Sequence, residues 1–246
     1  MKRVISLVLV VLMLAATLCA CTQPDAGASS TTTKPNEPAD PNAPVVINVN
    51  SFVSDTANWE FDDDYNLKTE GGKIVFNTTE AGEFMAGMLK KPAKDVTYKF
   101  TITVNELPEG AEELTPEDGA YWDIEMFIIA RASVPAGTWP GSGDQTGYCL
   151  SSWGGLGKVA IGRCGYDNAC GEFEWNIADG QPHEVEFTVK DNADGTVNII
   201  LVVDGTEIAN VVDNGAPRAD KPERPTKYPD AGNLVIRTKY MKVTIG

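Results

Sequence analysis

The chain has 246 residues, and its 35 acidic side chains outnumber its 20 basic ones to give a formal net charge of −15. This charge repels phosphate backbones, so nucleic acid is not an expected partner. The sequence contains no G-x-x-x-x-G-K-[ST] loop, no G-x-S-x-G elbow and no H-E-x-x-H motif. The nucleotide sites, serine-hydrolase sites and zinc-protease sites that those motifs build are therefore not expected either.

The N-terminal segment predicts export from the cytoplasm. Two basic residues precede the apolar run Val4–Leu14, which is too short for a membrane-spanning helix. The motif "LCAC" at residues 18–21 resembles the lipobox of bacterial lipoproteins, Leu-x-Ala-Cys. The resemblance implies that residues 1–20 are a lipoprotein signal peptide and that the thiol of Cys21 carries the lipid; a plain secretory signal is the alternative.

The segment after Cys21 predicts a flexible linker. Thr22–Pro44 is rich in Pro, Ser, Thr and Ala and has no large apolar residue, so it cannot bury enough surface to offset its ordering entropy. Residues 21–44 thus combine the lipidated cysteine and a linker. We expect an extracytoplasmic protein that is anchored to the bacterial cell membrane by the lipid on Cys21 and has no other membrane contact.

Residues 45–246 predict one all-β domain. Apolar and polar residues alternate with period two along it, and helix-length amphipathic windows do not occur. Gly- and Asp-containing turns separate the short strands, which is typical of a two-sheet antiparallel sandwich. The predicted strands are Val45–Val53, Lys73–Asn77, Glu83–Leu89, Asp95–Asn105, Tyr121–Ala132, Gly147–Trp153, Lys158–Arg163, Glu172–Ile177, His183–Lys190, Thr196–Val203, Thr206–Val212, Leu234–Thr238 and Tyr240–Ile245.

The most specific stretch is Asp179–Asp213, "DGQPHEVEFTVKDNADGTVNIILVVDGTEIANVVD". It resembles the concanavalin A-like lectin/glucanase superfamily, which includes laminin-G-like domains. The C-terminal "GNLVIRTKYMKVTIG" resembles the closing strands of those jelly rolls, in which the last strand commonly lies beside the first. The resemblance implies a jelly roll whose concave face carries the sugar site. It allows a structural calcium and requires no other cofactor.

Three cysteines lie within the domain: Cys149, Cys164 and Cys170. Cys164 and Cys170 flank the turn-like "GYDNA", so the sequence predicts a Cys164–Cys170 disulfide and leaves Cys149 as a free, buried thiol. A metal site is the alternative. It is disfavoured because the one histidine, His183, lies in another predicted strand as a surface or edge residue and no C-x-x-C spacing occurs.

The predicted strand Tyr121–Ala132 has one apolar face and one mixed face. Laminarinase- and lichenase-type glucanases of the superfamily carry Glu-x-Asp-x-Glu on such a strand, and Asp123 and Glu125 match its second and third places. Tyr121 occupies the place of the nucleophile, and a phenol with a pKa of about 10 is a poor substitute for a carboxylate. An inverting pair is still open, because residues i and i+2 lie about 6.6 Å apart along a strand. The predicted core face is Trp122, Ile124, Met126 and Ile128, and the predicted concave face is Asp123, Glu125, Phe127, Ile129 and Arg131.

Carbohydrate binding needs aromatic faces together with hydrogen-bonding groups. We expect Trp139, in the Gly/Pro-rich loop Ser133–Thr146, and Tyr148 to stack on a sugar while Asp123, Glu125 and Arg131 bind its hydroxyl groups. The expected protein is a monomeric carbohydrate binder. The alternatives are a glycoside hydrolase or lyase that uses Glu125, and a non-catalytic structural or protein-binding module.

A proline-rich loop, Asn214–Ala231, carries the basic patch of the chain. Its role stays open between covering a sheet edge and meeting an acidic glycan. The patch consists of Arg218, Lys221, Arg224 and Lys227.

Overall fold

The computed structural model describes residues 43–62, 68–79, 84–138, 144–154, 157–164, 167–217, 222, 226–228 and 230–246. The predicted signal peptide, Cys21 and nearly all of the linker lie outside the described residues, as does Trp139. No helix in the described part of the chain has the length and apolar character needed to cross a membrane.

The described residues form two sheets, which confirms the predicted all-β sandwich. The first sheet has the order β13-β12-β11-β6-β15-β4-β3, and the second sheet has the order β10-β9-β8-β7-β14-β5-β2. Every pairing is antiparallel except that of β1, which runs parallel to β6. The strands are β1 (Val45–Asn48), β2 (Trp59–Phe61), β3 (Lys68–Glu70), β4 (Lys73–Asn77), β5 (Phe84–Ala93), β6 (Val96–Glu106), β7 (Glu125–Ala132), β8 (Tyr148–Trp153), β9 (Lys158–Arg163), β10 (Asp167–Glu174), β11 (His183–Asp191), β12 (Val197–Val203), β13 (Thr206–Asp213), β14 (Gly232–Lys239) and β15 (Lys242–Ile245).

The hairpin β11–β12 shows why the alternating segments become strands. Phe187 lies opposite Leu201 in the register, and both side chains are buried against the second sheet. Fully burying such a side chain stabilises the fold by about 1.5–3 kcal/mol. The next hairpin turns at Asp204 and Gly205, which both have positive φ as a tight two-residue turn requires.

The predicted order and number of strands differ from the structure in two respects. The first strand does not lie beside the last, because β1 and β15 occupy successive stretches of the same edge of β6. The strands β2 and β3 were not predicted, since each has only three residues, too few to establish a period of two.

The predicted strand Tyr121–Ala132 is only partly a strand. Residues Gly119–Asp123 form a 3-10 turn, and β7 begins at Glu125. The backbone N–H of Tyr121 donates to the carbonyl of Asp118 at 3.0 Å, which closes the turn. As a result Trp122 is 51% exposed and is not a core residue. Ile124, Met126 and Ile128 do face the core as predicted.

The predicted Cys164–Cys170 disulfide is not formed in this structure, because Cys164 is a free, buried thiol. Its Sγ lies 3.7 Å from the carbonyl oxygen of Thr146, and its neighbour is the buried, free thiol of Cys149. Burial, reinforced by the hydrogen bond with Cys149, raises the pKa of the Cys164 thiol. Cys170 lies within β10, beyond the turn that was expected to hold it.

Candidate functional site

The strands β8, β7, β14 and β5 lie side by side in the second sheet, and their registers align side chains in rows across it. We call the face of this sheet that is turned away from the core its outer face. It carries three residues of the predicted concave face, Glu125, Phe127 and Ile129. Its first row is Trp153, Glu125, Lys239 and Phe84, its second is Ser151, Phe127, Arg237 and Ala86, and its third is Cys149, Ile129, Val235 and Met88.

The middle of the outer face is buried and mostly apolar. Phe127, Ile129 and Val235 belong to a cluster separate from the main core. The predicted ligand residue Glu125 accepts a hydrogen bond from Nη1 of Arg237 at 2.6 Å, and each of these side chains is only 2% exposed. The Arg237 guanidinium also lies 4.0 Å from the centre of the Phe84 ring. Glu125 is therefore a buried structural ion-pair partner.

An aromatic cluster lies at the end of the sheet where the first row begins. The ring centres of Trp122 and Tyr121 are 5.0 Å apart, and those of Trp122 and Trp153 are 6.3 Å apart, both with edge-to-face geometry. The indole N–H of Trp122 donates to the carbonyl of Pro116 at 3.0 Å, so the ring is held in place although it is exposed. Gly154 leaves room for Tyr121, since a Cβ there would lie 1.9 Å from a ring carbon.

A charged pair lies beside this cluster. Nζ of Lys239 donates to Oδ1 of Asp123 at 2.6 Å, and the side chains are 23% and 51% exposed respectively. The ammonium group also lies 5.4 Å from the centre of the Tyr240 ring. We call Tyr121, Trp122, Asp123, Trp153 and Lys239 the Trp122 site. It presents an exposed indole next to a carboxylate acceptor and an ammonium donor.

Arg131 does not belong to this site, which corrects its predicted role. Its side chain is fully buried, and Nη1 donates to Oδ1 of Asp191 at 2.8 Å and to the carbonyl of Tyr228 at 3.0 Å. Nη2 lies 3.2 Å from Oδ1 of Asp95, and Nε donates to the carbonyl of Lys94 at 2.7 Å. The positive φ of 61° of Arg131 breaks the alternation of β7, so the side chain leaves the outer face.

Tyr148 is also placed elsewhere than predicted. It is fully buried, and its ring packs edge-to-face against Tyr228 at 5.7 Å. Burial, the largest of several influences, raises its pKa to about 12. It faces the core between the sheets and has no surface for a ligand. Trp139 lies outside the described residues, so its role stays a prediction.

Asp123 and Glu125 are neighbours in sequence but do not share a strand face. Asp123 belongs to the 3-10 turn and is half exposed, whereas Glu125 begins β7 and is buried. The i, i+2 spacing expected of an inverting acid pair is thus not realised. The sequence reasoning missed Lys239, and it assigned Trp122 to the core. The turn-forming "TPEDG" before Trp122 was the available signal that this residue lies outside a strand.

The donor groups of the described residues bear on the predicted calcium site. Among the residues that the structure describes, no group of three or more His, Cys, Asp or Glu side chains could hold a metal ion. Calcium needs six to eight oxygen ligands, commonly with several carboxylates. The described residues thus provide no cluster of carboxylates for a calcium ion, and a structural calcium stays a prediction.

A cavity of about 260 Å³ opens on the opposite side of the molecule, at the first sheet. Its wall includes Asn50, whose amide is occupied by Thr101, and an ion pair of 2.6 Å between Lys99 and Glu186. No aromatic ring is exposed there: the one aromatic residue in its wall, Phe100, is 3% exposed. It is a weaker candidate than the Trp122 site because it offers no apolar platform.

Comparison with known proteins identifies the fold. No family model matches the sequence, and no curated protein matches it. A solved Bacillus subtilis protein of unknown function with a galectin-like fold superimposes with a TM-score of 0.54 at 12% identity, covering 78% of this chain and 88% of that chain. The potassium-bound Emp46p carbohydrate recognition domain superimposes with a TM-score of 0.50 at 10% identity, covering 79% of this chain and 88% of that chain. The domain therefore has the galectin-like, concanavalin A-like jelly-roll fold.

Proposed function

We propose that this domain binds carbohydrate at the Trp122 site. The observation that carries the proposal is the 51% exposure of an indole whose position is fixed by a hydrogen bond and by two neighbouring rings. Exposed apolar clusters rimmed by polar groups mark interaction sites on soluble proteins, and Trp122 packs with Tyr121 and Trp153 in such a cluster. The likeness of the fold to a carbohydrate recognition domain supports the proposal.

Each part of the site has a role in the proposed complex. The C–H face of a pyranose ring packs on the indole of Trp122, and this apolar contact increases the affinity for the sugar. The carboxylate of Asp123 accepts a hydrogen bond from a sugar hydroxyl, and the ammonium of Lys239 donates one to a hydroxyl oxygen. Both groups are partly exposed, so they reach a ligand without a change of fold.

We propose binding without cleavage, because the geometry does not favour the hydrolase alternative. A general acid must come within hydrogen-bond distance of the atom that it protonates. Glu125 is 2% exposed and is bonded to Arg237. To reach a glycosidic oxygen it would have to break this buried ion pair, which is costly.

A binding experiment on the full-length protein tests the proposal. A panel of oligosaccharides is titrated against the wild type, Trp122→Ala and Val212→Ala, which removes another exposed apolar side chain, in β13. We expect Trp122→Ala to weaken binding by about tenfold or more, the value of a lost aromatic contact, and Val212→Ala to leave it unchanged. Equal affinities of Trp122→Ala and wild type would place the site elsewhere.

The same samples distinguish the alternatives. Release of new reducing ends that Glu125→Gln abolishes, with the variant still folded, would support the hydrolase. A folded protein that binds no member of a broad panel would support the protein-binding module. We expect binding with no release.

The proposal includes the cellular location of the domain. We propose that the lipid on Cys21 anchors the protein to the outer side of the cell membrane and that residues 22–44 hold the domain away from it. Cys21→Ser should move the protein from the membrane fraction to the soluble fraction. A variant that stays with the membrane would contradict the anchor.

A further inference from the structure

The surroundings of the Trp122 site are strongly acidic. Residues 107–118 lead directly into the 3-10 turn and contain five exposed acids and no Lys or Arg. The carbonyls of Pro116 and Asp118 bond to Trp122 and Tyr121, so this acidic segment is fixed against the aromatic cluster. Hydrogen bonds from Thr115 lower the pKa of Asp118, so its charge is present at neutral pH. The five acids are Glu109, Glu112, Glu113, Glu117 and Asp118.

The cation of the site is already paired within the site. Lys239 donates to Asp123 at 2.6 Å, and the pair is net neutral. An acidic sugar that accepts a hydrogen bond from Lys239 brings its own negative charge next to Asp123 and the acidic segment, and like charges oppose this approach. A neutral sugar can use both groups at once, since hydroxyls donate to Asp123 and accept from Lys239. The pair therefore repels one class of ligand and accommodates another.

We propose that the Trp122 site is selective for neutral glycans and rejects uronate-containing and sulfated ones, with Asp123 as the residue that determines this selectivity. The inference rests on the proposed function. It assigns Asp123 a role beyond hydrogen bonding, because its charge keeps Lys239 from serving as an anion-binding group.

The basic loop Asn214–Ala231 does not alter this environment as far as it is described. Nζ of Lys227 donates to the carbonyl of Gly195, and the other three cations of the patch lie outside the described residues. Tyr228 packs on Tyr148 at one end of β8, while Trp122 packs on Trp153 at the other. Five residues of a strand separate these ends by about 17 Å, farther than two Debye lengths at physiological salt.

The test uses pairs of oligosaccharides that share one backbone and differ only in a CH₂OH or a carboxylate at C6, in the gluco, galacto and manno series. Each pair is titrated at physiological salt against the full-length wild type, Asp123→Asn and Glu186→Gln. Glu186→Gln is a matched control, because it removes the carboxylate from the Lys99–Glu186 pair of the same 2.6 Å length on the first sheet.

The wild type should bind the neutral member of a pair about tenfold or more tightly than its uronate, because like charges across an interface oppose association. Added salt should narrow the gap by screening this repulsion. Asp123→Asn frees Lys239 and removes one negative charge, so the affinity of this variant for the uronate should rise. The ratio of the affinity for the neutral member to the affinity for its uronate should therefore fall by about tenfold. Glu186→Gln should keep the wild-type ratio.

Two results would overturn the selectivity while the proposed function stands. One is a wild type that binds uronate and neutral members equally; the other is an Asp123→Asn variant with the wild-type ratio. A folded wild type that binds no member of any pair would instead count against carbohydrate binding itself.

Discussion

Glu125 and Arg237 form an ion pair of 2.6 Å beneath the outer face of the second sheet, with each side chain only 2% exposed. Their backbones lie on adjacent strands, β7 and β14, and the guanidinium packs on the ring of Phe84 at 4.0 Å. Charges this deeply buried are tolerated only when they are paired. The residue that the sequence offered as a catalytic acid thus serves to balance a buried arginine.

Removing one partner of this pair should destabilise the fold strongly. Glu125→Ala leaves the Arg237 guanidinium buried without its carboxylate, and we expect a loss of about 3–5 kcal/mol in the free energy of unfolding. Urea denaturation followed by tryptophan fluorescence measures it. Asp123→Ala is the control, since its pair with Lys239 is half exposed and such pairs contribute about 0–1 kcal/mol. Equal, small losses in both variants would contradict a structural role for Glu125.

The sequence predicted what is encoded locally. The strands β11 and β12 follow from alternation over seven to nine residues, so both were predicted correctly, and they pair antiparallel as the predicted antiparallel sandwich requires. Ile124, Met126 and Ile128 were placed in the core for the same reason. Local alternation determines which face of a strand is apolar, and burial of that face then determines the sheet.

The candidate site could not be predicted in the same way, because its contacts join distant parts of the chain. Glu125 meets Arg237 across a separation of 112 residues, and Asp123 meets Lys239 across 116. The burial of Arg131 depends on one residue with positive φ, which alternation does not reveal. Trp122 was assigned to a strand because it continues the alternation of apolar residues in β7. The hydrogen bonds of the preceding turn instead hold it in a 3-10 conformation.

The Trp122 site should depend on a glycine that contacts no ligand. Gly154 has a φ of +60°, and a Cβ there would lie 1.9 Å from the Tyr121 ring. Gly154→Ala should lower the free energy of unfolding by about 1–3 kcal/mol through backbone strain and should also weaken glycan binding by displacing the aromatic cluster. Gly157→Ala is the matched control, since it has open space around it and no positive φ. If both variants bind like the wild type, the cluster does not need this packing.

Arg131 should stabilise the fold and should not contact the bound glycan. It joins the end of β7 to Asp95, Asp191 and the carbonyl of Tyr228, and its side chain is fully buried. Arg131→Met keeps much of the volume but removes the cation from Asp95 and leaves Asp191 paired with Lys94 alone. Both acids are partly exposed, so we expect a loss of about 1.5–3 kcal/mol in the free energy of unfolding, the value of hydrogen bonds to charged groups. Thermal unfolding measures the loss, and titration at a temperature where the variant is folded should give wild-type glycan affinity. Weaker glycan binding by the folded variant would instead support a direct role of Arg131 in the binding site.

His183 should make stability depend on pH near neutrality. The sequence predicted a surface or edge residue, but the side chain is largely buried between two carboxylates, with Nδ1 2.7 Å from Oδ2 of Asp204 and Nε2 3.0 Å from Oδ1 of Asp179. Trp175 packs edge-to-face on the imidazole at 5.9 Å. Burial of the ring acts to lower its pKa, but the hydrogen bonds and charges of Asp204 and Asp179 outweigh it, so the pKa of His183 is raised.

The sign of the effect follows from this raised pKa. The folded state binds the proton more tightly than the unfolded state, whose histidine pKa is about 6.5. The stabilisation is therefore complete below that value and is lost as the pH rises through the pKa of the folded protein. His183→Gln should remove this contribution, so the difference in unfolding free energy between wild type and variant should shrink from pH 5.5 to pH 8.5.

His183 is the one histidine of the chain, so its ring protons report the titration directly by NMR. Asp204→Asn should lower the pKa of His183, because it removes the charge facing Nδ1. A wild-type pKa at or below 6.5, or a stability difference that grows with pH, would contradict the clamp of two carboxylates.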